Sequence, residues 1–196
     1  MKSHSRLKAL LLVVLAATIV ITGCSGQWIN LALQDLPVLT QMALNIATLA
    51  STLASGQQAS SGDVAVIQNL SAQASRDLSL LQSLYSEYKA NPSATTLAKI
   101  QNVISDVNQS LPGLLQSAHI SNPTLSARIT AAVNLILTTI NSFAALIPQT
   151  TSPTAQHAPV SALPNAKGLK KVWNQQVCAP TGNAAMDDAF ARSVLR

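Results

Sequence analysis

Side chains able to do acid–base, nucleophilic or metal chemistry are few in this chain and widely scattered. Among 196 residues there are three histidines, two cysteines and a single glutamate, Glu87. His4 stands in an apolar leader, His119 near the end of a helical stretch and His157 in a proline-rich segment. A carboxylate-bridged di-iron bundle needs several inward glutamates and Glu-x-x-His pairs, so one glutamate excludes it. No Cys-x-x-Cys-His is available for covalent haem, no Cys/His set has zinc spacing, and the glycines form no phosphate-cradling loop. The expectation is a protein that is not an enzyme, with no catalytic residues, cofactor or metal. His119 has two readings: contact with the carbonyls that end the helix before it, or an axial ligand to a haem opposite Met42. Met42 otherwise reads as core filler.

Cys24 is a different matter, because of what precedes it. MKSHSRLK is a basic n-region, and the apolar run that follows, from Ala9 to Gly23, is short for a membrane span, which takes about 20 residues. It closes on Ile21-Thr22-Gly23-Cys24: an aliphatic residue, a small one, glycine, then cysteine. This resembles the lipobox of bacterial lipoproteins over roughly the first 25 residues. The resemblance implies cleavage before Cys24, a diacylglycerol thioether on its sulfur and acylation (commonly palmitate) of the new amine. Each buried CH₂ contributes about 0.8 kcal/mol, and two or three chains hold firmly where one does not. In Gram-negative lipoproteins an aspartate after the cysteine retains the protein in the inner membrane, so Ser25 points to the outer membrane if the organism has one.

The net charge of +5 looks suited to nucleic acid until it is divided by region. Lys2, Arg6 and Lys8 leave with the leader, so nine bases face seven acids in the remainder. No broad basic face remains to neutralise a phosphate backbone, and nucleic-acid binding is not expected. Charged residues are only 10% of the chain and hydrophobic ones 48%, which fits a packed domain with a polar but weakly charged surface.

What must position any site is helical. From Trp28 to Ile147, apolar residues recur at steps of three and four. The four stripes are Leu39, Met42, Ile46, Leu49, Leu53; then Ile67, Leu70, Ala74, Leu81, Leu84, Tyr88, widened by Leu78 and Tyr85; then Leu97, Ile100, Ile104, Val107, Leu111, Leu114, Ala118; and Leu125, Ile129, Ala132, Ile136, Ile140, Phe143, Ile147. Asp63, Ser93 and Asn122 are the expected N-caps, Pro123 falls in a first turn, and Pro148 ends the fourth helix. Pro37 begins or kinks the first helix and Pro112 bends the third. The organisation expected is a signal peptide (1–23), a lipid tether (24–27), an all-α, antiparallel up-down-up-down four-helix bundle (28–147) and a proline-containing linker with a largely irregular C-terminal tail (148–196). A pair of helical hairpins completed by another subunit is the other architecture.

In the tail, NAAMDDAFARSVLR reads as a short helix capped by Asn183, with Asp187 and Asp188 early, Arg192 late, and Met186, Phe190 and Val194 on one face. Lys167, Lys170 and Lys171 with Trp173 read either as a solvated linker or as a contact with anionic lipid or cell-wall polymer. Cys178, the thiol left over once Cys24 is lipidated, is either free or in a disulfide with another chain, which would make a homo-oligomer. Trp28 sits in lipid headgroups or packs at the end of the bundle. The function expected is a lipid-anchored cell-envelope scaffold, assembly aid or subunit with a protein partner. The alternative is a carrier of an apolar ligand or lipid in the bundle.

Overall fold

The computed structural model describes residues 3–55, 59–117, 120, 122–147 and 165–196, with side chains from Trp28 onward. It is all-helical over those residues. The elements are α1 (Ser3–Ser55), α2 (Ser61–Ala90), α3 (Ala94–Ser117), α4 (Pro123–Ala144), α5 (Ala166–Gln176) and α6 (Ala184–Arg192). The backbone of α1 is continuous through the leader, Cys24 and residues 24–27, and Pro37 lies within it. Pro112 lies inside α3. Ala118, His119 and Pro148 fall outside the described residues.

The four stripes become the core. Leu39, Met42, Ile46, Leu49 and Leu53 on α1, Ile67 to Tyr85 on α2, Ile100 to Leu111 on α3 and Leu125 to Ile147 along α4 and the turn after it are buried as the periodicity requires. Tyr88 and Leu114 are only partly buried. Trp28–Ser55 is long and apolar enough to cross a membrane by length and composition. The burial of its stripe makes it the central helix of the folded body instead.

Hydroxyls along these helices are satisfied locally and without charge. Thr40, Ser51 and Thr52 on α1, Ser79 and Ser86 on α2, and Thr139 and Ser142 on α4 each donate to the carbonyl four residues earlier. A hydroxyl satisfied this way needs no partner elsewhere, at the cost of a slight bend in the helix. The helix starts are also satisfied locally. Asp63 is not the cap of α2, as expected, but its partner: Ser60 is the N-cap, accepting from the Asp63 N–H at 3.0 Å while Asp63 Oδ2 accepts from the Ser60 N–H at 3.2 Å. The Ser-x-x-acid spacing closes a reciprocal capping box, which satisfies two donors where a lone cap satisfies one. Ser93 Oγ accepts from Thr96 N–H, and Asn122 caps α4 with Pro123 behind it.

α1 packs on α2, α2 on α3, α3 on α4, and α4 on α1, which closes a ring. Along the α1–α2 seam Trp28 meets Tyr85, Ala43 O accepts from Ser71 Oγ, and Ser51 accepts from Gln68. Asn108 and Asn141 exchange amide hydrogen bonds of 2.7 and 3.0 Å between α3 and α4.

The short terminal helix expected in the tail is present as α6, and before it, where irregular chain was expected, stands a further helix, α5. Both α5 and α6 pack on α1, and α5 also packs on α4. Leu169, Trp173 and Val177 form one apolar face, and Met186, Ala189 and Phe190 another; all six are buried. Helices of 11 and 9 residues are too short to hold themselves together in water, so docking these faces is what makes them helical.

Candidate functional site

The chain's last four residues are fixed by α5 and α1. Ser193 O accepts from Trp173 Nε1 at 2.8 Å and from Asn45 Nδ2 at 3.1 Å. Asn174 pairs with both main-chain groups of Leu195, at 2.9 Å each way, and Lys170 Nζ donates to Arg196 O at 2.6 Å. Lys170, Trp173 and Asn174 share one helical face because they stand three and four residues apart. The α5–α6 connection is held from the other side by Arg128 of α4, which donates to Gln176 O and to Ala179 O and lies over the Phe190 ring, 5.8 Å from its centroid. Gly182 turns this connection at φ +82°, a conformation a side chain would strain. Asp187 accepts from Thr181 N–H and Oγ1 and from Gly182 N–H, and these bonds hold its carboxyl below the usual range.

This arrangement leaves a groove of about 470 Å³ between α1 and the C-terminal segment. Pro37, Val38, Gln41 and Asn45 form one wall, and Lys170, Arg192 and Val194–Arg196 the other. The wall amides are oriented: Gln41 donates to Asn45, which donates to Ser193 O. Arg192 also pairs with Asp188 at the rim. A second groove of about 370 Å³, between α3 and α4, is lined by Gln101, Ile104, Ser105, Asn108, Gln109, Asn141, Ala144 and Ile147 and carries no charge.

Asp35 is the titratable group that reading by sequence passed over. It is 1% exposed on α1, and neither carboxylate oxygen accepts a well-formed hydrogen bond from a described residue. Burial pushes its pKa up to about 6, while the nearby N–H of Ala166, in the first turn of α5, pulls slightly the other way. A signal was present: Trp28, Ala32, Asp35, Leu39 and Met42 follow the same three–four rhythm, so an acid occupies a core position.

The residues singled out from sequence are dispersed. Trp28 is 2% exposed and packs edge-on against Tyr85 at 5.5 Å, with Tyr88 at 6.5 Å, so it stands at the end of the core and not in solvent. Its Nε1–H and the Tyr85 hydroxyl are buried and find no hydrogen-bond partner among the described residues, and burial holds the Tyr85 pKa well above the usual tyrosine range. Met42 is fully buried core. Trp173 is also fully buried, so it cannot reach lipid or wall polymer with the lysines around it. Val194 does not share the buried face of Met186 and Phe190, because α6 ends at Arg192 and Val194 is 43% exposed. Cys178 is a free thiol, 9% exposed. Burial raises its pKa to about 11, against smaller opposing effects of Trp173 and Arg128, which leaves it protonated and a poor nucleophile. The side chains of His4 and Cys24, and the residues His119 and His157, lie outside what the structure describes. Among the described residues no three His, Cys, Asp or Glu side chains gather as metal ligands would.

Comparison with protein-family models, with curated proteins and with solved structures finds no match. The functional reading therefore rests on the residues themselves.

Proposed function

We propose that this chain is a lipoprotein of the cell envelope, anchored through Cys24, that acts without catalysis as a scaffold, assembly aid or subunit through protein contacts. The observation that carries the reading is the distance between anchor and core. Trp28, four residues after Cys24, is already locked against Tyr85. At 1.5 Å per residue that is only about 6 Å of helix, so lipid on Cys24 holds the folded body directly at the bilayer surface. Ser25 after the anchor favours the outer membrane in a Gram-negative cell. Cys24→Ala should give an unprocessed precursor without lipid mass. A mature N-terminus with lipid mass in that variant would refute the anchor.

The ring of α1–α4 is read here as an antiparallel up-down-up-down bundle. Contacts along the α1–α2 seam support this: they advance on α1 from Trp28 to Ala43 to Ser51 while receding on α2 from Tyr85 to Ser71 to Gln68. The linkers from α2 to α3 and from α3 to α4 are also short, as between antiparallel neighbours. Cysteines introduced at Ser51 and Gln68 should crosslink on oxidation, and a pair at Ser51 and Ser86 should not. The opposite pattern would reverse α2.

A further inference from the structure

We infer that the groove between α1 and the chain's last residues docks an acidic peptide segment of a partner protein, one with an aliphatic residue beside its carboxylates. The inference deepens the scaffold reading and rests on it.

Charge selects the occupant. Of the nine bases that follow the leader, three line this groove: Lys170, Arg192 and Arg196. No acid is in its lining; Asp188, paired with Arg192, stands at the rim. The α3–α4 groove, by contrast, has no charge at all. Basic side chains are thus gathered at one concave place on a weakly charged molecule, and even with Arg192 paired to Asp188 the balance there favours an anionic ligand over a cationic one. Guanidinium groups match carboxylates in the planar two-point geometry that gives such pairs their specificity.

The apolar part of the groove narrows the choice further. Val194 is 43% exposed and is one of three large hydrophobics so exposed among the described residues. It faces solvent beside Pro37 and Val38 of the opposite wall. An aliphatic side chain next to a carboxylate fills that surface, which a simple anion does not. The walls are already set, with Lys170 held on Arg196 O and Asn45 on Ser193 O, so little ordering remains for the partner to impose. A bilayer is a poorer fit. Lipid-reading basic clusters present about 4–8 bases to a flat surface, whereas here three bases flank a recess.

The test uses the full-length protein in intact cells, with p-benzoylphenylalanine introduced at Val194 or, in a separate strain, at Gln109 of the uncharged groove. Irradiation at Val194 should capture a protein segment with at least two Asp or Glu residues in the crosslinked peptide. Lys170→Glu with Arg196→Glu should lower that capture by about tenfold or more, and exchanging the segment's acids for lysine should restore it. Unchanged melting temperature shows that the double variant folds. If it does not fold, Arg196→Gln alone should lower capture severalfold. Crosslinks to phospholipid, to a segment without acids, or at a level indifferent to charge reversal would overturn the assignment. Capture of protein from Gln109 but not from Val194 would sink the groove and leave the scaffold standing. Capture of protein from neither position would sink both.

Discussion

The ring α1–α4 and the C-terminal pair α5–α6 are built on different principles. In the ring, long stripes of Leu, Ile and Ala bury one face of each helix, and the outward faces carry hydroxyls and amides that are often satisfied within the helix. In the C-terminal pair the helices are short, and much of the work is done by single large or charged side chains reaching across: Trp173 to Ser193, Arg128 to Gln176 and Ala179, Asn174 to Leu195. A long helix gathers stability from many small contacts, so its pattern is redundant. A short one depends on a few anchors, each of which matters more.

The largest test of that contrast is removal of residues 165–196. If the pair is part of the core, truncation uncovers α1 and lowers the melting temperature by more than any single substitution, as followed by circular dichroism. An unchanged melt would make the pair an accessory. Next comes Trp173→Ala. The side chain is wholly buried and hydrogen-bonded, so its loss should cost about 3–5 kcal/mol in denaturant unfolding. Trp173→Phe, which keeps most of the ring and loses the Ser193 bond, should cost less. If the two variants cost the same, the anchor acts through its hydrogen bond and not its bulk.

A smaller effect, with a distinctive pH signature, belongs to Asp35, where the two regions meet. Its pKa is about 6 in the fold against 3.8 ordinarily. The folded state therefore binds the proton more readily. Its contribution to stability is fully present below pH 3.8 and is lost as pH rises through 6. At about 1.4 kcal/mol per pH unit, the stability of Asp35→Asn relative to the parent should rise by up to about 3 kcal/mol between pH 3.5 and pH 8. A pH-independent difference would mean that the carboxylate titrates as in water.

Much of the ring was legible because its pattern repeats over 22 residues or more per helix, long enough for the three–four rhythm to show through its exceptions. The terminal helix α6 was legible too, through Asn183 and the ordering of Asp187 and Arg192. α5 was missed. Its cap, Asn165, follows a proline-rich segment, and its buried face is only Leu169 and Trp173 within the helix, set among lysines and a glycine. Such a face is too sparse for periodicity to register. The groove was illegible for another reason. It joins residues near 40 to residues near 194, and no local spacing encodes which distant segments meet. Asp35 was in plain view as a charge in a core register, but counting acids and bases says nothing of where along a helix face each one falls.

The contact between Asn45 and Ser193 spans 148 residues. Closing so long a loop is slow compared with forming local helix. The seam of α1 that receives α5 and α6 is thus uncovered until those two helices have been made and docked. The groove needs both partners of that contact: without Ser193 and the residues after it one of its walls is missing, however well the first four helices have formed.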